Sequence, residues 1–238
     1  MTILDIAQRF ARAVSDPIPN SIETNNDTVA QLMGYIEQGA INIVEEYAWR
    51  ELTKRKTITT VAGQTEYELP DDFDEILTWG LYDITSKTWL TAETPDQSLV
   101  RKIDEVSGDS ACKYMLLGNK LVLSYPITAG HELRFFYKIK NYVKSTDDNG
   151  NVIYTDVFRK DTDEFMCDDN LLILASKVYR SIELQLADKE DLKADYLGLL
   201  QKKMDANTAP TQSNVDMVGN LGRTLSVARI FTTDGGSY

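Results

Sequence analysis

The chain has 238 residues, 42% of them hydrophobic and 26% charged, a balance that excludes a wholly disordered, collagen-like or low-complexity chain. Its length allows one large domain or two small ones and is ample for a core. With 37 acidic and 25 basic residues the net charge is -12, which denies the chain a general basic surface for phosphates.

Residues 3–14 place Ile3, Ile6, Ala7, Phe10, Ala11 and Val14 on one face at helical spacing. Thr2 and Asp5 stand where a capping box needs them, and Asp16-Pro17-Ile18-Pro19 stops the helix. A second helix, capped by Asn26 or Asp27, repeats Val29, Leu32, Met33, Ile36, Ala40, Ile43, Val44 and Tyr47 and is expected to reach about Leu52. Trp49 near its end suggests packing on the next layer. Lys54, Arg55 and Lys56 follow, where positive charge would suit the negative end of the helix dipole.

From Lys56 the period changes to that of strands. Thr57–Val61 is β-branched, Gly63-Gln64 turns, Thr65–Leu69 alternates, and Pro70-Asp71-Asp72 ends the second strand. Phe73–Ile84, Thr88–Leu90, Cys112–Leu117, Lys120–Tyr125 and Glu132–Ile139 read as further strands, with Gly118-Asn119 turning between two of them. Residues 91–110 lack a period and suggest a short helix plus loop. Asn149-Gly150, between Tyr142-Val143 and Val152-Ile153-Tyr154, predicts a hairpin with a type I′ turn. Two helices then return. Asp169 or Asn170 caps one that runs to about Leu186, with Leu172, Ala175, Val178, Tyr179, Ile182 and Leu186 on its buried side; Asp188 caps the next, which ends with Lys202 and Lys203. The short join at Ala187-Asp188 predicts a helical hairpin. From Asn207 onward prolines and glycines break any helix, and Leu225–Phe231 is the one apolar stretch. Such a tail is either disordered or an arm that becomes ordered on another chain by strand addition, and its apolar residues favour the arm.

Catalytic chemistry finds little support. His131 is the single histidine and has no nucleophile-elbow context, and it is read as an ordinary strand-end residue; phosphate-binding glycine motifs are missing. Cys112 and Cys167 lie apart and, even with His131, cannot make a four-ligand zinc site, so buried thiols are expected and neither metal nor cofactor is assigned. Asp71, Asp72, Asp74 and Glu75 cluster after a strand, and Asp161, Asp163, Glu164, Asp168 and Asp169 before a helix. Two of these could run glycoside hydrolysis, but turns and caps need acids in such places anyway. The acids around Gly150 match a calcium loop poorly, and a hairpin tip explains them better. Phe135-Phe136-Tyr137 suits core packing and subunit contacts, because a nucleic-acid-binding sheet needs basic residues beside its aromatics. No apolar run approaches the ~20 residues of a membrane span, and Asp5 stands where a signal peptide would carry bases; no membrane contact is expected, and a cytoplasm is the expected place of folding.

Trp49-Arg50-Glu51-Leu52 followed by Thr57–Phe73 (TITTVAGQTEYELPDDF) resembles the head-to-tail adaptor proteins of tailed phages, chiefly short-tailed ones. The close match covers about residues 49–73, and the order of elements agrees over nearly the whole chain; the 91–110 loop and the Asn149-Gly150 hairpin have no match there. The resemblance implies a ring of identical subunits, usually twelve, docked under the portal protein and carrying the tail nozzle or hub. It also implies a C-terminal arm that clasps the portal, and a location at the head-tail junction of the virion. A negative lumen would let genomic DNA pass without specific binding, since it repels phosphates within the ~8–10 Å Debye length.

The expected fold is therefore α+β: a helical bundle interrupted by a small antiparallel β domain and ending in an extended arm. Residues 1–55 hold the N-terminal helices, 56–156 the β insertion with its hairpins, 157–206 the helical hairpin that completes the bundle, and 207–238 the arm. The expected function is structural, with no catalytic residue. Leu225, Val227, Arg229, Ile230 and Phe231 are the candidate portal contacts, and neighbouring subunits are expected to meet along 27–52 and 170–205. The alternatives are a cell-wall glycosidase using clustered carboxylates such as Asp72 and Glu75, and a non-viral β binding module.

Overall fold

The computed structural model describes residues 1–24, 26–94, 96 and 112–208. Within them lie four α-helices, α1 (Ile3–Val14), α2 (Asp27–Glu46), α3 (Asp169–Glu183) and α4 (Lys189–Thr208). Ten strands accompany them: β1 (Thr53–Thr59), β2 (Glu66–Glu68), β3 (Phe73–Asp83), β4 (Thr88–Ala92), β5 (Lys113–Leu117), β6 (Lys120–Leu123), β7 (Glu132–Ile139), β8 (Val143–Thr146), β9 (Val152–Thr155) and β10 (Glu164–Phe165). A seven-stranded sheet runs β1-β7-β3-β4-β5-β6-β2, and a three-stranded one runs β10-β8-β9. By element the described chain is predominantly β, which corrects the expectation of a helical bundle with a small β insert. That expectation weighed the long helical periods and could not see that strands from across 53–139 join one large sheet.

The large sheet is mixed, not antiparallel, because β4 and β5 pair in parallel. Residues 93–112 connect them, long enough for the crossover that parallel neighbours need. Its two edges, β1 and β2, are consecutive in the chain. Fully extended, the link from Thr59 to Glu66 reaches about 25 Å, whereas the edges of a flat seven-stranded sheet lie roughly 29 Å apart. The link is also turned, with the Gln64 N–H donating to the Val61 carbonyl at 3.1 Å, so the sheet has to curl nearly closed. This corrects the reading of 57–69 as a hairpin: the turn at Gly63 (φ 75°) exists, but β1 pairs with β7 and β2 with β6. Inside the curl lie Leu81, Leu121, Leu123, Leu133 and Phe135, all at most 2% exposed.

The helices pack mainly on one another, with α3 against α1, α2 and α4. The Thr2–Asp5 capping box is present as expected. α2 ends at Glu46, six residues short of Leu52. Tyr47 turns extended, and the Trp49 indole donates to the Ile43 carbonyl at 2.6 Å, satisfying one of the acceptors that a helix end leaves open. The Lys54-Arg55-Lys56 triplet consequently lies in β1 instead of at a helix terminus. α3 is capped by Asp168, whose carboxylate accepts the Leu171 N–H, instead of by Asp169 or Asn170.

The β8–β9 hairpin forms where expected, but its turn is not type I′. Gly150 alone in residues 147–151 has positive φ, and the Asp147 N–H donates to Asn151 while its carbonyl accepts from Gly150. This is a three-residue loop with a glycine bulge. The small sheet links the two parts of the molecule: Tyr142, Phe158 and Phe165 pack edge-on and tilted around one another, and the Ile3 N–H at the start of α1 donates to the Asp163 carbonyl.

Candidate functional site

Leu225, Val227, Arg229, Ile230 and Phe231 lie outside the described residues, as does most of the 91–110 loop. The structure does place the point from which the C-terminal segment leaves. Tyr196, Leu200 and Met204, at four-residue steps, are buried on one face of α4, which packs on α3. Near its end Arg50 donates to the Asn207 carbonyl at 2.9 Å, and Lys203 pairs with the Asp168 carboxylate. Since Asp168 also caps α3, one carboxylate ties the start of α3 to the end of α4. Around these groups is a recess of about 260 Å³ lined by Trp49, Arg50, Glu51, Cys167, Asp168, Lys203, Ala206 and Asn207. Burial pushes the Cys167 thiol up, so it stays protonated at neutral pH, and the half-buried side chain packs against the core.

A second surface was not foreseen. Register puts Thr57, Arg134, Tyr82 and Trp89 in one row across β1, β7, β3 and β4, with Arg55 opposite Phe136 in the next row. These side chains point away from the curled core, because the alternate positions Leu81, Leu133 and Phe135 point into it. Trp89 is 56% exposed and Phe136 43%, and the Tyr82 and Trp89 rings lie 4.8 Å apart. The Phe135-Phe136-Tyr137 run is thus split, with its outer two rings buried and Phe136 facing out. The basic residues missing from the expectation are local: Arg55 and Arg134, on this same face, have no carboxylate partner among the described residues. Overall charge hid them, and only strand register brings them beside the aromatics.

The groups considered for catalysis are held in structural roles. His131 Nδ1 lies 2.7 Å from Asp83, and Ser86 donates to the same carboxylate at 2.7 Å. Burial opposes the charge on Asp83, but hydrogen bonds from Ser86, His131 and the Thr85 backbone outweigh it and hold its pKa below the usual range. Ser86 bonds to the carboxylate and not to the imidazole, so the nucleophile–base contact of a triad is not made. Asp72 pairs with Lys54 and accepts from the Tyr137 hydroxyl, whose pKa is pushed up to about 12 by burial and by Asp72. Asp74 and Glu75 both clamp Lys138. Asp161 accepts the Ile22 N–H, Asp163 those of Arg159 and Lys160, and Glu164 pairs with Lys144. The hairpin acid Asp147 binds the N–H groups of Asn149 and Asn151. No described helix is long and apolar enough to cross a membrane.

No curated protein matches the chain. The family model described as SU10 adaptor protein matches residues 1–222.

Proposed function

The chain belongs to the SU10 adaptor family, a family of phage head-to-tail adaptors with a structural role, and from that premise we propose that it forms a ring of about twelve copies between a portal protein and the tail nozzle or hub. In this reading it is assembled in the host cytoplasm, resides at the head-tail junction of the virion, and continues the channel through which the genome leaves. Its excess of acids keeps that channel from binding DNA. The arm expected over 207–238, whose first two residues close α4, meets the portal through Leu225, Val227, Arg229, Ile230 and Phe231.

The observation that carries this reading, beside family membership, is the anchored end of α4. Arg50 and Lys203 hold the last turn of the helix, so the segment that follows starts from a fixed point on a folded body. Such a tether fixes where the arm is presented, and repetition around a ring multiplies a modest contact.

The test is the mass of the full chain, alone and mixed with the portal protein of the same genome, for the intact chain and for one ending at Thr208. A ring on the portal that needs residues 209–238 is the expected result. A chain that stays monomeric and ignores the portal overturns the proposal.

A further inference from the structure

If subunits meet in a ring, each must present two different faces to its neighbours, because ring closure uses heterologous contacts. α2 has little to offer, since most of its apolar positions are buried in its own chain and Ile41 is its one exposed large hydrophobic. The open sheet face is better suited. It groups Trp89, Tyr82, Phe136, Arg55 and Arg134, the residue types that dominate protein interfaces. Its arginines lack counter-charges among the described residues, although the chain as a whole carries an excess of acids. A cationic patch on an acidic chain is complementary to the rest of that same chain.

The complement is on α4. Asp188, just before the helix, and Asp191 and Asp195 in its first turns recur at three- and four-residue steps on one exposed side, following Leu184, which is 45% exposed. None of the three acids has an ion-pair partner among the described residues. From Asp188 to Asp195 the helix rises about 10 Å, within the roughly 14 Å that separates β1 from β4 across the sheet face. We infer that the Trp89–Phe136 face of one subunit receives the acidic start of α4 of the next, with Leu184 against the rings and Arg55 and Arg134 on the aspartates. The inference rests on the ring reading above and adds to it which surfaces meet.

All the residues concerned are exposed or half-buried, so substitutions leave the fold intact, which circular dichroism checks. Three full-length variants are compared in the portal-mixing assay: Arg55→Glu with Arg134→Glu, Asp191→Arg with Asp195→Arg, and all four together. Each pair alone is expected to weaken ring assembly roughly tenfold or more, and the fourfold swap to restore it, because opposed charges are then re-created across every contact. Trp89→Ala is expected to weaken assembly without any rescue by the charge swap. Rings that form equally well with either pair swapped overturn the inference while leaving the ring itself standing. A fourfold variant no better than either pair also overturns it. Absence of any ring for the unaltered chain removes the reading on which the inference rests. Binding of a single-stranded oligonucleotide that is lost in the arginine variant, with ring assembly unchanged, reassigns the face to nucleic acid.

Discussion

Glu37 projects from α2 into a recess of about 370 Å³ that it shares with Ile41, Val44, Tyr142, Lys138 and Lys140. Burial raises its pKa, and after burial its charge helps push the Tyr142 phenol up to about 12. The folded chain therefore holds the Glu37 proton more tightly than the unfolded chain. Stability falls as pH rises from the ordinary glutamate value of about 4.3 through the raised folded value, and the cost is fully present above it. Glu37→Gln should accordingly have a higher urea midpoint than the parent at pH 7, with the advantage gone by about pH 4. Equal midpoints at pH 7 would mean that the carboxylate is fully solvated and the argument fails. Periodicity located Glu37 on α2, but nothing in it could say that this acid meets Tyr142 across 105 residues of chain.

At the scale of elements, α2 and α3 are in tight contact at Gly39. A Cβ there would stand 3.2 Å from both the Ala175 Cβ and the Ser176 backbone nitrogen, whereas one at Gly34 would meet nothing within 4 Å. Alanine exceeds glycine in a helix interior by about 1 kcal/mol. Gly34→Ala is expected to stabilise the chain by about 0.5–1 kcal/mol. Gly39→Ala should yield none of that gain, because backbone of α3 would have to move, and Gly39→Val should destabilise. Urea unfolding of the three variants decides it; equal gains at both glycines would show that α3 gives way freely. The end of α2 carries a related lesson. Apolar spacing continued to Tyr47, but the helix stops when Trp49 folds back onto the Ile43 carbonyl, and a basic triplet that looked like a helix terminus becomes part of an edge strand. There Lys54, Arg55 and Lys56 also guard β1 against pairing with another chain, as charges on open sheet edges do.

For the whole molecule the governing feature is the curl of the large sheet, and its pin is Tyr67. The Tyr67 hydroxyl accepts the Val61 N–H and donates to the Gln64 carbonyl, both at 3.2 Å, holding the turn that joins the two sheet edges while the ring packs inside. Tyr67→Phe keeps the ring and deletes both bonds, and is expected to lower stability by about 1–2 kcal/mol. An unchanged urea midpoint would remove the turn from any role in closing the sheet. The GQTEYEL string that carried the resemblance thus has a physical reason: Gly63 supplies the positive φ and Tyr67 ties the turn.

By itself the sequence determined the local elements, because helix caps, strand alternation and turn residues act over a few positions: the Thr2–Asp5 box, the 132–139 strand and the Gly150 loop are all written in neighbouring residues. It also carried the family, through a short string and the order of elements. Tertiary structure alone decided which strands became neighbours, since a link such as 60–65 can close a hairpin or span to the far edge of a sheet at similar local cost. That choice made the molecule sheet-dominated. It also set Arg55 and Arg134 beside Trp89 and Phe136, a juxtaposition that exists only in the register between strands distant in the chain.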